Sequence, residues 1–169
     1  AVGVGGNIDH MTLMDNFCWC SSNDPQRLGE LKEAARGCYE GAVAYLTPFI
    51  SGKDSMFNDF KGFDDQGNPT LVSVPPTLLI SALSVIDDIN CVTTMDFKKE
   101  GDLIYLLGET KNELGASQYY QMLGRLGANI PQVDFKTAQK RYRNIYSATK
   151  EHLLASCIHP VSYTHLRAH

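Results

Sequence analysis

The stretch from Asp24 to Pro48 constrains the fold more than any other part of the chain. Asp24 is an N-cap residue, because its short carboxylate can accept hydrogen bonds from the backbone N–H groups that a first helical turn leaves unpaired. Pro25 follows at the position where a missing N–H costs nothing and a fixed φ is already helical. Behind them Leu28, Leu31, Ala35, Cys38, Ala42 and Tyr45 recur at three- and four-residue steps. That spacing predicts one long amphipathic helix stopped near Pro48. On either side the chain reads as extended. Residues 11–15 alternate in apolar character and predict a strand with a charged tip, and Phe49-Ile50 starts a short strand running into a turn at Gly52.

Further along, residues 58–70 are rich in Asp, Gly and Asn and read as a loop or hairpin tip. After Pro75-Pro76, residues 77–86 are apolar and β-branched enough for a buried strand, which Asp87-Asp88 terminates. The polar residues 90–101 mark a domain boundary. Residues 102–108 read as another buried strand ending in a turn, and residues 118–127 as a short helix. Asp134 caps a long helix reaching about Ser156, with Phe135, Ala138, Tyr142, Ile145, Thr149 and Leu153 on one face. Two α+β pieces result. The opening Ala1-Val2-Gly3-Val4-Gly5-Gly6 reads as the end of a helix entering a glycine turn, as if cut from something longer, and its glycines lack the spacing of a dinucleotide fingerprint. Residues 163–169 have no periodicity and no cap, and read as a tail foreign to the rest.

Composition narrows the function classes. With 169 residues, 43% of them hydrophobic, the chain can bury a core. Its 15 basic and 19 acidic residues leave a net charge of −4 and an isoelectric point of about 5.7, so no global field favours nucleic acid or an anionic membrane surface. No apolar run approaches the roughly 20 residues that span a bilayer, which predicts a soluble cytoplasmic protein. Cys18, Cys20, Cys38, Cys91 and Cys157 are odd in number and scattered, so they are read as free thiols. Cys18-Trp19-Cys20 lacks the second ligand pair of a structural zinc site, and neither cysteine sits in the sharp glycine turn of a glutaminase-type nucleophile.

The chemistry-bearing residues concentrate in Ile50-Ser51-Gly52-Lys53-Asp54-Ser55-Met56. Four consecutive positions there supply a backbone-exposing glycine, a cation, a carboxylate and a hydroxyl, a compact kit for a phosphate and its magnesium. Asp15, in Met14-Asp15-Asn16-Phe17-Cys18-Trp19, is the second charged element. Blander readings stand beside these: Asp15 as a capping carboxylate and Gly52 as a left-handed turn residue. Asp64-Asp65 and Asp87-Asp88 read as solvated termini, and Lys136, Lys140, Arg141 and Arg143 as a solvated helix face. Tyr142 and Tyr146 read as core.

Four blocks carry a resemblance. Leu13-Met14-Asp15-Asn16-Phe17-Cys18-Trp19, Thr47-Pro48-Phe49-Ile50-Ser51-Gly52-Lys53-Asp54-Ser55-Met56, Pro75-Pro76-Thr77-Leu78-Leu79-Ile80-Ser81-Ala82 and Gly115-Ala116-Ser117-Gln118-Tyr119-Tyr120 resemble phosphoribosylformylglycinamidine synthase. They are most similar to the second aminoimidazole-ribonucleotide-synthetase-like module of its synthetase subunit. The resemblance extends from Ala1 to about Ser162. It implies an α+β fold with a partial N-terminal-type subdomain at 1–95, a partial C-terminal-type subdomain at 96–162, and a non-native tail at 163–169. The implied activity is that of a purine-biosynthesis ligase using ATP and magnesium. It phosphorylates the amide oxygen of formylglycinamide ribonucleotide, and glutamine-derived ammonia then displaces phosphate. Such transfers depend on positioning and charge neutralisation around the phosphoryl group.

By the same resemblance Asp15 matches a nucleotide-contacting aspartate, Gly52 a glycine whose backbone meets the nucleotide, and Ser55 a serine assigned to substrate. Lys53 departs from the family pattern, which often has a magnesium-binding asparagine there. A lysine cannot ligate the cation, so either Asp54 takes that role or Lys53 neutralises phosphate directly, and the second is favoured. The family's catalytic histidines belong to the first module, and His10, His152, His159, His165 and His169 match none of them. The implied partners are that upstream module, a glutaminase subunit or domain and a ribonucleotide substrate, with no catalytic residue in this chain and no activity for it alone. Two alternatives remain open: a non-catalytic structural nucleotide-binding half of such an enzyme, and another synthetase or kinase of the same superfamily.

Overall fold

A computed structural model of the chain describes residues 1–159, a mixed α+β arrangement. Strand β1 (Met11–Cys18) is the centre of a three-stranded sheet, parallel to β2 (Phe49–Ser55) on one side and antiparallel to β5 (Thr77–Ser84) on the other. A parallel pair needs a long crossover, and helix α1 (Pro25–Tyr45) supplies it. Asp24 caps α1 as its sequence predicts, accepting from the Gln26 N–H at 2.8 Å and the Arg27 N–H at 3.4 Å. At the far end Leu46 turns into the left-handed region with φ 58° and donates its N–H to Ala42 and Val43 carbonyls, and Pro48 prevents continuation.

The core lies where β1 leaves the sheet. Phe17, Trp19 and Cys20 are buried, with Leu31, Ala34 and Cys38 of α1 packed against them from one side and Met56, Val74 and Leu78 from another. The inward stripe of α1 therefore runs through Ala34, while Ala35 and Leu28 face outward. Trp19, 4% exposed, donates its indole N–H to the Arg27 carbonyl at 3.0 Å, so its polar end is satisfied as well as its apolar body. Burying an aromatic of this size is worth about 4–6 kcal/mol by area, an upper bound because the unfolded chain already hides part of it.

Between β2 and β5 the chain makes an antiparallel hairpin, β3 (Phe60–Phe63) with β4 (Pro69–Val72), in line with the hairpin tip read from residues 58–70. Asp64 builds that tip: its oxygens accept from the Gln66 N–H at 2.9 Å, the Asn68 N–H at 2.8 Å and the Asn68 amide at 3.0 Å. Its role is therefore turn formation as well as solvation. Asp59 ties the base of the hairpin to the end of β1 by accepting from the Ser21 N–H at 2.9 Å and the Ser73 hydroxyl at 3.0 Å.

Helix α2 (Gln118–Met122) is shorter than its sequence predicts, and α3 (Phe135–Lys150), capped by Asp134, stops before Ser156. Helix α3 lies against the first half of the chain. Tyr45 packs edge-on to Phe135 at 5.4 Å and beside Tyr142 at 5.8 Å between ring centres. Arg143 pairs with Asp9 at 2.8 Å, and the Tyr146 hydroxyl donates to Asp87 at 2.7 Å. Two residues expected in solvated positions, Arg143 and Asp87, thus hold the helix down. Beyond α3 the chain returns to bridge Thr94 with Ser156, and the Cys157 N–H donates to the Thr94 carbonyl at 3.0 Å. These contacts cross the boundary expected at 90–101.

Residues 102–108 form no strand, contrary to their apolar pattern. Leu103, Ile104, Tyr105 and Leu106 are exposed, and no strand edge runs beside them among the described residues. A strand needs a hydrogen-bonding neighbour, and β-propensity alone does not supply one. Among the described residues no helix is long and apolar enough to cross a membrane. The tail expected at 163–169 lies outside the described residues.

Candidate functional site

Strands β1 and β2 run side by side, Leu13 opposite Phe49 and then, after a one-residue slip, Met14 opposite Ser51. The slip leaves Ile50 as an extra residue on β2, a bulge that resets the register and brings Gly52 opposite Asp15. The sequence predicts a turn at Gly52. It lies instead inside a continuous strand from Phe49 to Ser55, and its φ is not positive. The pairing with β1 overrides the turn preference of a Ser-Gly-Lys-Asp run, because every residue from Ser51 to Ser55 has a partner across the ladder.

The absence of a side chain at position 52 nonetheless has a consequence, of a different kind. The Asp15 carboxylate lies across it, so that a Cβ added there would meet Asp15 Oδ1 head-on and come within 2.6 Å of Cγ and 2.8 Å of Oδ2. The two residues singled out from 37 positions apart are neighbours, and the room at Gly52 is taken up by the Asp15 side chain itself.

Strand alternation sorts the rest. Residues paired across a parallel ladder share a face, so Asp15, Gly52, Phe17 and Asp54 line one side of the sheet and Asn16, Lys53, Cys18 and Ser55 the other. The first side is the one α1 covers, since Leu31, Ala34 and Cys38 pack against the cluster to which Phe17 belongs. Burial pushes the Cys38 thiol up from its ordinary value, and the Asp15 charge adds to it, which places the carboxylate near the helix as well. Asp15 is half-buried; Gly52, Lys53 and Asp54 are exposed and Ser55 half-buried. Asp15, Lys53 and Asp54 make no ion pair among the described residues.

A single phosphate cradle built from Gly52, Lys53, Asp54 and Ser55 does not fit this arrangement. In a turn the four could converge, whereas in a strand Lys53 and Asp54 point to opposite sides. Nor do the carboxylates assemble a cage for magnesium: among the described residues no three His, Cys, Asp or Glu side chains group as ligands. Asp54 on its own could offer one oxygen to a cation otherwise held by water and phosphate.

The other two blocks quoted for the family resemblance lie apart from each other. Pro75 to Ala82 runs into β5, the second neighbour of β1, with Ile80 opposite Asp15. Gly115-Ala116-Ser117 forms the entry to α2: Ser117 caps it by accepting from the Tyr120 N–H at 3.3 Å, and Gly115 lies so close to the Asn129 backbone that a Cβ would sit 2.8 Å from it. The bulge at Ile50 and the proximity of Cys38 to Asp15 are not legible in the sequence, since the first depends on which strand β2 pairs with and the second on how α1 lies over β1. No protein-family model matches the chain.

Proposed function

We propose that the chain is part of an ATP- and magnesium-dependent amidoligase of purine biosynthesis, of the phosphoribosylformylglycinamidine synthase type, acting in the cytoplasm. The whole enzyme would convert formylglycinamide ribonucleotide, glutamine-derived ammonia and ATP to formylglycinamidine ribonucleotide, ADP and phosphate. This chain would supply a module that is inactive without an upstream synthetase module and a glutaminase. One observation carries the reading: three of the sequence blocks that resemble the family are the three strands of one sheet, with Asp15 central and Gly52 beside it.

A second reading has its own support. The separation of Lys53 and Ser55 from Asp15 and Asp54 by strand alternation favours a structural nucleotide site, where bound nucleotide stabilises the fold by mass action and is not consumed. Trp19, the single tryptophan, lies in the core next to β2 and reports on this region. Titrating the chain with ATP and magnesium while following Trp19 emission tests nucleotide binding. Saturable binding weakened by Asp15→Asn supports both readings, and turnover after the upstream module and glutaminase are added selects the ligase. Absence of binding at millimolar nucleotide, with the chain folded by circular dichroism, overturns both.

A further inference from the structure

Cys91 and His152 meet where the chain leaving α3 returns to the sheet-bearing half. Cys91 ends a short 3-10 turn, Ile89–Cys91, capped by Asp88. Its Sγ lies 3.9 Å from His152 Nε2 and 3.9 Å from the Lys150 carbonyl oxygen. His152 holds its ring there from a left-handed backbone position, φ 55°, the first bend after α3. Cys91 is half-buried and His152 exposed, so the pair lies at the surface with the imidazole beside the sulfur.

The surroundings set the division of labour. The Lys150 carbonyl belongs to the last turn of α3, where the partial negative charge of the helix terminus favours a cation and disfavours an anion. His152 Nε2 is thus the base placed beside the sulfur. Among the described residues no other cysteine combines access with such a base. Cys20 is fully buried, and burial pushes the thiols of Cys38 and Cys157 up. Among the described residues Cys18 has the Asn58 amide, 3.6 Å away, and no imidazole beside it.

We propose that Cys91 is the reactive thiol of this chain, a modification site for low-molecular-weight disulfides with His152 as its proton acceptor. In the step, His152 Nε2 takes the Cys91 proton while Sγ attacks one sulfur of the incoming disulfide. The old S–S bond breaks as the new one forms, and the departing thiolate takes the proton back from the imidazolium. One disulfide is exchanged for another, with no net oxidation. The product places a bulky group beside the bend that leads from α3 to the Thr94–Ser156 bridge. Modification should therefore loosen the segment after α3.

The test is glutathione disulfide at neutral pH on the whole chain, with modification at each cysteine followed by mass spectrometry over time. Cys91 is expected to react first. His152→Asn keeps a residue that tolerates the left-handed backbone and removes the base; it should slow Cys91 about tenfold, below the factor of about 100 or more that a positioned general base gives inside an enzyme site. The Cys18 rate in the same sample should stay unchanged, which separates loss of the base from loss of the fold. Cys18 reacting ahead of Cys91, or a Cys91 rate within twofold of the original in His152→Asn, overturns the proposal.

Discussion

Replacing Gly52 with alanine tests the pairing of Asp15 with β2 directly. Two effects oppose each other. Alanine in place of a strand glycine contributes about 0.5–1 kcal/mol of stability, because the unfolded chain has less freedom to lose. Against this, the new methyl would overlap the Asp15 carboxylate, 2.6 Å from its Cγ, a distance no real Cβ keeps. The obstacle is the end of a side chain, so Asp15 rotates away rather than the strands separating, and an off-rotamer χ costs about 0.5–1.5 kcal/mol. Gly52→Ala alone should thus be close to neutral, destabilising by at most about 1 kcal/mol. In an Asp15→Ala background the overlap is gone and the same substitution should stabilise by about 0.5–1 kcal/mol. The coupling energy is then about 1 kcal/mol, measurable in a double-mutant cycle of urea unfolding followed by Trp19 emission. Additivity within about 0.3 kcal/mol would mean that the carboxylate does not lie over Gly52, and the description of the site would fail with it.

Other consequences follow from the same contacts. Trp19→Phe removes the indole donor to the Arg27 carbonyl and part of the core volume; it should destabilise by about 1–3 kcal/mol in thermal or urea unfolding followed by circular dichroism. Asp24→Ala leaves the Gln26 and Arg27 N–H groups without their cap and should cost about 1 kcal/mol in the same assay, with Asp24→Ser restoring most of it. The Tyr146 hydroxyl, and then Lys150, hold the Asp87 carboxyl below its ordinary value. Its contribution to stability is therefore complete above about pH 3.9, the unfolded value, and is lost as pH falls through the folded one. Asp87→Asn should flatten the acid limb of a pH–stability curve, and an unchanged limb would contradict the contact. Burial, and then Tyr142, push Tyr45 up to about 12. Stability should fall as pH rises from about 10, where the unfolded phenol ionises. An absorbance titration should show late-ionising tyrosines, the latest of which disappears in Tyr45→Phe while Tyr146, raised by its bond to Asp87, remains.

The elements legible in the sequence are those whose cause is local. Asp24-Pro25 and Asp134 announce helix starts because capping satisfies N–H groups within three residues of the cap, and the structure has both caps in place. The Asp-Gly-Asn run at 58–70 gives a hairpin for a similar reason, since Asp64 and Asn68 bond each other across four positions. The strand after Pro75-Pro76 is legible from its β-branched apolar run and finds β1 as a neighbour over its whole length, but it ends at Ser84 and is mostly exposed, not the buried strand that run predicts. The same kind of run at 102–108 finds none and stays irregular. Sequence pattern expresses readiness to pair, and pairing itself is a property of two segments.

Position 52 divides what each level decided. From the residues alone came the association of Asp15 with the Gly-Lys-Asp-Ser run, and the identity of glycine there. Whether that run bends into a cradle or stays extended was settled by its neighbour: five consecutive ladder partners on β1 hold it straight, and the bulge at Ile50 sets which of them faces Asp15. A strand sends successive side chains to opposite sides, so contiguity in sequence became separation in space. Local chemistry determines what a segment can offer, and the long-range ladder, whose hydrogen bonds no single segment contains, determines where it is offered.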